Sequence, residues 1–272
     1  MKDGIRAFFE EEKIEYAEAL SYADAREISP HILARAALTP RSMILFLLPY
    51  YAGETENLSI YAAARDYHIA IREVTERLIR RLDALFPGSH SVGFGDHSPI
   101  DERHAALSAG LGILGKNGLL IHPVYGTYVF IADILTDIPP EALGAIPAAP
   151  PRFCEGCGAC LRACPTGILR GEGDSCLSAV TQRKGELTAE EIGMMKKYHT
   201  VWGCDICQSV CPHNRSPRLT PLPFFREERI PHLTRKILDG MGEDAFRERA
   251  FAWRGRRVVE RNLDAYESEN DN

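Results

Sequence analysis

The sequence predicts a mixed α/β (α+β) protein in which an N-terminal domain is followed by a cysteine-rich module and a short helical segment. Helical and strand patterns alternate across the first half of the chain, as in domains that combine helices with a sheet. A proline-rich stretch over 139–151 then separates a half without cysteine from a compact segment that holds all 8 cysteines. Two helical patterns follow, the second rich in arginine. We therefore expect domains over 1–148, 149–214 and 215–272.

The composition bounds the class of protein. A chain of 272 residues that is 45% hydrophobic and 26% charged is ordinary for a globular protein of about two domains. No apolar run is long enough to cross a membrane, and the first ten residues are too charged for a secretory signal. We therefore expect a cytoplasmic monomer without a membrane partner. The net charge of -6 gives no general attraction to polyanions.

The first elements follow from the spacing of apolar residues. Residues 1–40 are predicted to be helical, with a break at Ser29-Pro30. The apolar run over 41–49 ends at proline and predicts a buried strand. The pattern from Tyr61 to Phe86 predicts a long amphipathic helix that ends before Pro87-Gly88.

The remaining elements alternate in the same way. A glycine-rich turn over 92–99 precedes a predicted helix over 100–109 and a glycine-rich loop, and strands are predicted over 119–121 and 128–135. After the cysteines, we expect helices over 233–241 and 243–266 and a polar tail over 267–272. The last helix is predicted to carry a group of arginines, which form either a solvated face or a phosphate-binding one: Arg247, Arg249, Arg254, Arg256, Arg257 and Arg261.

The cysteine spacing is the most specific signal in the chain. The run from Cys154 to Pro165 has the form C-x2-C-x2-C-x3-C-P, with Cys157, Cys160 and Cys164 at the other cysteine positions. Ferredoxins with two cubane clusters use this spacing, because three close thiolates bind one cluster and the fourth binds its neighbour. Structural zinc needs four ligands, usually as two separated pairs. The run therefore favours iron and sulfide over zinc.

A second, shorter cysteine run begins at Cys204 and has one cysteine fewer than the first, so a second cluster lacks the ligand at one position. Cys176 can fill that position; the alternative is that Cys176 is a buried small apolar side chain. We assign four cysteines to each of two 4Fe-4S clusters: Cys154, Cys157, Cys160 and Cys211 to the first, and Cys164, Cys176, Cys204 and Cys207 to the second. Two cubanes indicate electron transfer to a reducible centre.

Other candidate motifs are incomplete. The run from Gly110 to Asn117 matches a dinucleotide G-x-G-x-x-G and most of a phosphate loop, but it follows a helix and lacks the final hydroxyl. We interpret it as a tight loop with a close backbone approach. Asp66 opens a D-x-H-x-x-G pattern that binds cobalamin cobalt through its histidine, here His68, but Ile71 occupies the glycine position, which favours an ordinary helix face for His68. Asp96 lies in a flexible turn and is either a turn residue or a catalytic one.

Several motifs occur together in a fixed order. They are Arg65-Asp-Tyr-His68, Asp96-His-Ser-Pro-Ile-Asp-Glu102-Arg103, the loop from Ala109 to Asn117, the first cysteine run, Cys176-Leu-Ser-Ala-Val-Thr-Gln-Arg-Lys184-Gly185, and Gly203-Cys-Asp-Ile-Cys-Gln208 with Cys211-Pro-His-Asn214. This set resembles the cobalamin-dependent epoxyqueuosine reductases, relatives of the corrinoid reductive dehalogenases. The resemblance runs from about Tyr61 to Pro212 and continues more weakly to Tyr266.

The resemblance implies a fold, two kinds of cofactor and a reaction. The fold is a cobalamin-binding domain related to flavin nitroreductases, followed by a bacterial-ferredoxin-like double 4Fe-4S module. The reaction is the reduction of epoxyqueuosine to queuosine in a tRNA anticodon stem-loop, with electrons from a low-potential donor. Asp96 matches the family's proposed proton donor. The resemblance places six residues around the corrin, with no histidine on cobalt: Arg65, Asp96, Ser178, Lys184, Cys204 and Asp205.

Two other functions stay open on the sequence. Longer members of the family continue into helical repeats that help to hold tRNA, whereas this sequence ends at Asn272 and resembles a short form. A corrinoid and iron–sulfur reductase of a small epoxide or organohalide is the first alternative, and it predicts turnover without RNA. An electron-transfer protein without a corrin is the second.

Overall fold

The computed structural model describes residues 1–268, and residues 269–272 of the predicted tail lie outside them. The chain forms two compact units, each built from separate stretches of sequence. Within the described residues, the first unit comprises 1–50, 68–156 and 217–222, and the second comprises 51–67, 157–216 and 223–268. The predicted division into three domains stays a prediction, because a grouping by contacts does not test where an independently folding domain ends.

The first unit combines five helices with six strands. They are α1 (Asp3–Glu11), β1 (Ala17–Ser21), α2 (Pro30–Ala36), β2 (Ser42–Pro49), α3 (Tyr67–Leu85), β3 (Ser91–Phe94), α4 (Glu102–Ser108), β4 (Ile113–Leu114), β5 (Leu120–Ile121), β6 (Val129–Thr136) and α5 (Pro140–Leu143). The predicted strands over 41–49, 119–121 and 128–135 and the helix over 100–109 are thereby confirmed to within a few residues.

A four-stranded antiparallel sheet in the order β1-β2-β6-β3 forms the centre of this unit. Every residue of the inner strand β2 is buried, which explains why its sequence is continuously apolar rather than alternating. Burial of each large side chain there stabilises the fold by about 1.5–3 kcal/mol. In β6, Asp133 is fully buried in an otherwise apolar stretch. The sheet thus carries an ionisable side chain, that of Asp133, into the core.

Three predictions for the first unit need correction. The helical prediction over 1–40 is wrong at β1, where alanine and glutamate favour helix but pairing with β2 along the whole strand decides the conformation. The turn over 92–99 begins as strand β3, in which a Cβ on Gly93 would lie 2.4 Å from Thr75 of α3. The long helix begins at Tyr67 rather than Tyr61.

The second unit is helical and contains the cysteine-rich segment. Its helices are short: α6 (Ala159–Ala163), α7 (Leu177–Gln182), α8 (Ala189–Lys197), α9 (Ile206–Ser209), α10 (Arg235–Gly240), α11 (Glu243–Arg247) and α12 (Arg256–Glu267). Helix α8 begins with a capping box, in which Thr188 and Glu191 satisfy each other's backbone N–H groups. The predicted helix over 233–241 corresponds to α10.

One apolar core joins distant parts of the second unit. Leu58, Trp202 and Phe251 are among its buried members, and Leu58 and Trp202 form an isolated β-bridge. The buried side chain of Asn262 in α12 donates to the carbonyl oxygens of Thr181, at 2.7 Å, and Val201, at 2.8 Å. These bonds satisfy carbonyl groups that are otherwise costly to bury.

The single helix predicted over 243–266 is wrong. The chain breaks between α11 and α12, and Gly255 precedes α12 with a φ of 90°. The break lets the buried guanidinium of Arg249 donate to the carbonyl oxygen of Glu228 at 2.6 Å. Within residues 1–268, no helix has the length and apolar character that a membrane span requires.

Candidate functional site

The turn that carries Asp96 is the candidate catalytic feature of the first unit. Strand β3 ends at Phe94, which pairs with Asp133 of β6, and the chain then turns through Asp96 with a φ of 61°. Aspartate adopts this left-handed conformation more readily than most residues. The backbone N–H of Asp96 donates to Glu102 Oε1 at 3.0 Å, so the turn is tied to the start of α4. The side chain of Asp96 is 59% exposed.

Two carboxyl groups near this turn have pKa values above the ordinary range for carboxylic acids. Burial raises the pKa of Asp133 to about 7, against a lowering by the Ser98 hydroxyl. Burial, followed by the negative charges of Asp133 and Asp96, raises the pKa of Glu102 to about 8. The arrangement therefore keeps protons on groups that are ionised at neutral pH in water.

His68 lies beside the same turn. Its Nε2 is 3.9 Å from Asp96 Oδ2, and it belongs to the first turn of α3. The prediction of a helix position for His68 is confirmed, and the proximity to Asp96 is new. In the sequence, His68 is marked only by the motif Arg65-Asp-Tyr-His68. Nothing in the spacing of that motif predicts that His68 lies close to Asp96.

The glycine-rich loop is a tight backbone structure, as predicted. A Cβ on Gly112 would lie 2.6 Å from the carbonyl oxygen of Ile121, and Gly110 has a φ of 71°. The backbone of β4 pairs with β5 immediately after this turn. The glycines are therefore explained by close packing and backbone conformation.

The cysteines lie in loops and short helices, as ligands of a compact cluster require. The N–H of Cys154 donates to the carbonyl oxygen of Leu114 at 3.0 Å, which fixes the start of the run in the first unit. The other seven cysteines belong to the second unit, where α6, which carries Cys160, packs against α9, which carries Cys207. All eight have free thiols. Cys176 is exposed, so the alternative of a buried apolar side chain is wrong.

The electrostatics of the second unit suit a metal cluster. Burial is the main cause that raises the pKa of Cys204 to about 12; the charges of Cys176, Asp205 and Cys207 add to it, and a backbone hydrogen bond from Ile206 opposes it. Cys176 and Cys207, also assigned to the second cluster, are thus near enough for their charge to act on Cys204. Bound metal offsets that repulsion, because its positive charge stabilises the deprotonated thiols.

Cys164, the fourth cysteine assigned to the second cluster, has a different environment. Burial raises its pKa, but backbone hydrogen bonds from Leu169, Thr166 and Gly167 and the Thr166 hydroxyl outweigh burial and lower the pKa overall. Hydrogen bonds of this kind also stabilise a metal-bound thiolate. The donor set of the second unit therefore fits iron–sulfur clusters.

No three His, Cys, Asp or Glu side chains within residues 1–268 are grouped to hold a single metal ion. In a cubane each cysteine binds a different iron, so its ligands need not share one ion. The division of the cysteines between two clusters stays a prediction.

Asp205 anchors the cysteine-rich segment. Its carboxylate accepts the Ser59 hydroxyl at 2.6 Å, the backbone N–H of Ile60 at 2.6 Å and the Gln208 side-chain amide at 2.7 Å. Burial raises the pKa of Asp205 while these three hydrogen bonds lower it. The predicted cofactor contact of Asp205 stays a prediction, and its visible role is to hold the loop that precedes α9.

The other predicted corrin contacts of the second unit have different surroundings. Ser178 Oγ accepts the side-chain amide of Gln182 at 2.8 Å, and Lys184 is exposed. Arg65 Nε is 3.0 Å from Glu248 Oε2, without the alignment of a hydrogen bond. A buried guanidinium N–H and partly exposed hydroxyl and ammonium groups are donors that suit the amide and phosphate oxygens of a corrin. Their roles as cofactor contacts stay predictions.

Half of the predicted basic group has a structural role. Arg249, Arg256 and Arg261 each donate to backbone carbonyl oxygens of the second unit. Arg247, Arg254 and Arg257 are exposed. The surface that can meet phosphate is therefore smaller than the sequence predicts.

The sequence interpretation did not identify Glu102 or Asp133 as site residues. Glu102 belongs to the motif that begins at Asp96, but its spacing does not reveal that it accepts the Asp96 amide. Asp133 interrupts the apolar run of β6, and a charged residue inside a buried strand was an available signal.

The chain is similar to known proteins both in its cysteine-rich segment and over most of its length. Residues 153–214 match the family model for a 4Fe-4S double cluster binding domain. Over 212 residues the chain is 33% identical to the epoxyqueuosine reductase of Leadbetterella byssophila, which covers 75% of this chain and 67% of that protein. Over 235 residues it is 31% identical to the epoxyqueuosine reductase of Cyclobacterium marinum, covering 81% of this chain and 72% of that protein.

The fold is also that of a solved epoxyqueuosine reductase. The crystal structure of the selenomethionine-labelled protein superposes with a TM-score of 0.79 at 23% identity, over 96% of this chain and 80% of that chain. The chain spans 53% to 67% of the length of the first four curated relatives. The similarity in fold and sequence therefore covers both units and leaves part of each relative unmatched.

Proposed function

Because the chain belongs to the epoxyqueuosine reductase family, we propose that it reduces the epoxide of epoxyqueuosine in a tRNA anticodon stem-loop to give queuosine. The sequence relationship carries this proposal. The exposed carboxyl of Asp96 and the cysteine-rich segment supply the two kinds of group that the reaction needs, a proton donor and ligands for electron carriers. A structure of epoxyqueuosine reductase with an epoxyqueuosine-modified tRNA stem loop supports tRNA as the substrate.

The overall reaction is balanced by two electrons and two protons. The epoxide oxygen leaves as water, and a carbon–carbon double bond remains. The 4Fe-4S clusters carry the electrons, since such clusters reach potentials down to about -700 mV. Cobalamin, when bound, supplies a strongly reducing and nucleophilic centre, while the protein supplies orientation, electrons and protons.

Asp96 is the residue that we propose to donate a proton to the opening epoxide oxygen. Its turn leaves the carboxyl exposed at the surface of the first unit, 3.9 Å from His68. General acid catalysis of this kind typically contributes a factor of about 100 to 10,000 to the rate. A structure of the Bacillus subtilis enzyme has its aspartate catalytic loop swung out of the active site, which supports a mobile proton donor.

We further propose the ligand sets and partners that complete this function. Arg65, Ser178 and Lys184 bind the corrin, together with Asp205 and the backbone at Cys204. The cysteines divide between two clusters as assigned from the sequence. The protein acts as a monomer in the cytoplasm and accepts electrons from a low-potential donor.

Anaerobic reconstitution tests the proposal directly. The full chain is loaded with iron, sulfide and cobalamin, given a chemical reductant, and incubated with tRNA that contains epoxyqueuosine. Mass spectrometry of the nucleosides should show queuosine only when cobalamin is present. Turnover of a small epoxide or organohalide but not of tRNA would favour the small-molecule reductase, and failure to bind cobalamin would favour an electron-transfer protein.

A further inference from the structure

The Asp96 turn is held from two sides by carboxyl groups. Glu102 Oε1 accepts the backbone N–H of Asp96 at 3.0 Å. Asp133 Oδ1 accepts the hydroxyl of Ser98 at 3.2 Å, two residues further along the turn. The turn is therefore tied to α4 and to β6 by side chains that can each gain or lose a proton.

Asp133 has an unsatisfied oxygen in the interior. The residue is 0% exposed, and its Oδ2 has no hydrogen-bond partner within residues 1–268. An ionised carboxylate in this position is costly, because burial removes water and leaves Oδ2 without a replacement hydrogen bond within residues 1–268. Protonation removes most of that cost, and the raised pKa of Asp133, about 7, follows from burial.

Glu102 is coupled to Asp133 through charge. Burial is the largest cause of its raised pKa of about 8, and the charges of Asp133 and Asp96 come next. Ionisation of one carboxyl therefore makes ionisation of the next harder. The other charged and titratable groups near these carboxyls are Asp101 before α4, with its partners Arg26 and Arg103, His68 of α3 beside Asp96, and Tyr22 with its partner Glu27.

We propose that Glu102 and Asp133 are positioning residues that hold the Asp96 turn while at least one of them is protonated and release it when both are ionised. Release follows because two like charges then repel beneath the Asp96 turn. The left-handed backbone of Asp96 also depends on surrounding contacts to persist. The proposal rests on the proposed function only for its effect on catalysis, because the state of the turn can be measured without the reaction.

Hydrogen exchange at the backbone amide of Asp96 tests the proposal in the full chain with reconstituted clusters. Rates are corrected for the intrinsic dependence of exchange on pH. The protection of this amide should be constant in mild acid and fall about tenfold or more as pH rises through about 7 to 8, since a hydrogen bond to a charged or buried acceptor is lost. The pH profile of kcat for queuosine formation should fall over the same range.

Substitutions of Glu102 distinguish the effect of its ionisation from the effect of its hydrogen bond to the Asp96 amide. Glu102→Gln keeps an acceptor oxygen but cannot ionise, so protection should persist to higher pH. Glu102→Ala should lose protection at every pH. Asp137→Asn is the matched control, because Asp137 Oδ1 also accepts a backbone N–H, that of His90, at 2.8 Å in the same unit. This control should keep the wild-type profile.

Several results would overturn the proposal. One is a wild-type pH profile in Glu102→Gln, and another is wild-type protection in Glu102→Ala. If these variants do not fold, carbon-13 NMR titration of the carboxyl groups in the wild-type protein provides the test. Two carboxyl groups with pKa values above about 6.5 would support the proposal. Ordinary pKa values near 4 for every carboxyl group would contradict it. The expected exchange profile without queuosine formation would reject the proposed function alone.

Discussion

His68 Nε2 lies 3.9 Å from Asp96 Oδ2, and both side chains are more than half exposed. An ion pair with this exposure contributes little to stability, because water screens it. The relationship therefore bears on access rather than on folding: a helix side chain and a turn carboxyl lie together at a surface that a large substrate can reach.

Replacing Asp96 with asparagine should abolish queuosine formation while leaving both cofactors in place. Asparagine preserves the size and the left-handed preference of the turn residue, but its amide does not serve as a general acid. We expect a loss of at least about 100-fold in kcat, measured with iron, sulfide and cobalamin content determined on the same sample. Asp83→Asn, at an exposed position of α3, is the control. Full activity in Asp96→Asn would remove Asp96 from the mechanism.

Replacing Cys176 with serine should remove one cluster and spare the other. Cys176 is exposed and precedes α7, so its loss should not disturb the core. We expect bound iron to fall by about half, because each cubane holds four irons, and the electron paramagnetic resonance signal of one reduced cluster to disappear. Ser175→Ala, one residue earlier, should keep the full iron content. Unchanged iron in Cys176→Ser would refute its assignment as a ligand.

The Asp133 carboxyl should make the protein less stable as pH rises. The pKa of Asp133 is about 7 in the folded chain against an ordinary value of 3.8, so the folded state binds the proton more tightly than the unfolded state. The contribution is fully present below the ordinary pKa and is lost as pH rises through about 7. By linkage between proton binding and folding, the free energy of unfolding falls by on the order of 4 kcal/mol over this pH range.

Asp133→Asn tests this sign, because it stays neutral at every pH and keeps an acceptor for Ser98. Urea denaturation should show that the variant gains stability relative to wild type between about pH 5 and about pH 8. Asp137→Asn, one residue after the end of the same strand, should show no such gain. Parallel stability curves for wild type and Asp133→Asn would contradict the prediction.

Asn262→Ala should destabilise the second unit. The Asn262 amide is fully buried and donates to two carbonyl oxygens, so its removal leaves both acceptors unsatisfied. We expect a loss of about 2–4 kcal/mol in the free energy of unfolding. Arg257→Ala, on the exposed side of the same helix, should change stability by less than about 0.5 kcal/mol. Calorimetry of both variants provides the measurement, and equal stabilities would show that the two bonds are replaceable.

The exposed arginines of the C-terminal segment should contribute to tRNA binding through charge. Combined substitution of Arg247, Arg254 and Arg257 by alanine should weaken binding of the anticodon stem-loop and reduce the slope of log affinity against log salt by up to about 0.7–0.9 per lost phosphate contact. Fluorescence anisotropy across a salt series provides the measurement. Combined substitution of Arg35, Arg72 and Arg80 by alanine is the control, because replacing these three exposed arginines removes the same amount of charge. Equal slopes in both variants would place the RNA elsewhere.

The sequence predicted the cysteine-rich module because cluster ligation depends on short spacings that the chain itself records. It also predicted β2 and β6, whose apolar runs reflect burial. It failed at β1, where pairing with a neighbouring strand overrides helix propensity, and at α12, where a break at Gly255 exchanges a longer helix for buried arginine contacts. The carboxyls near Asp96 lie 31 residues apart in sequence at Glu102 and Asp133, and the packing of α4 against β6 brings them together.

The shared core of Leu58, Trp202 and Phe251 has a consequence for biosynthesis. On the ribosome, the cysteines emerge before Phe251, so the apolar core of the second unit cannot be complete until the chain has been synthesised beyond that residue. Until then the cysteine-rich segment is present without its full core. The order of the sequence therefore separates the synthesis of the cluster ligands from the final packing of the unit that holds them.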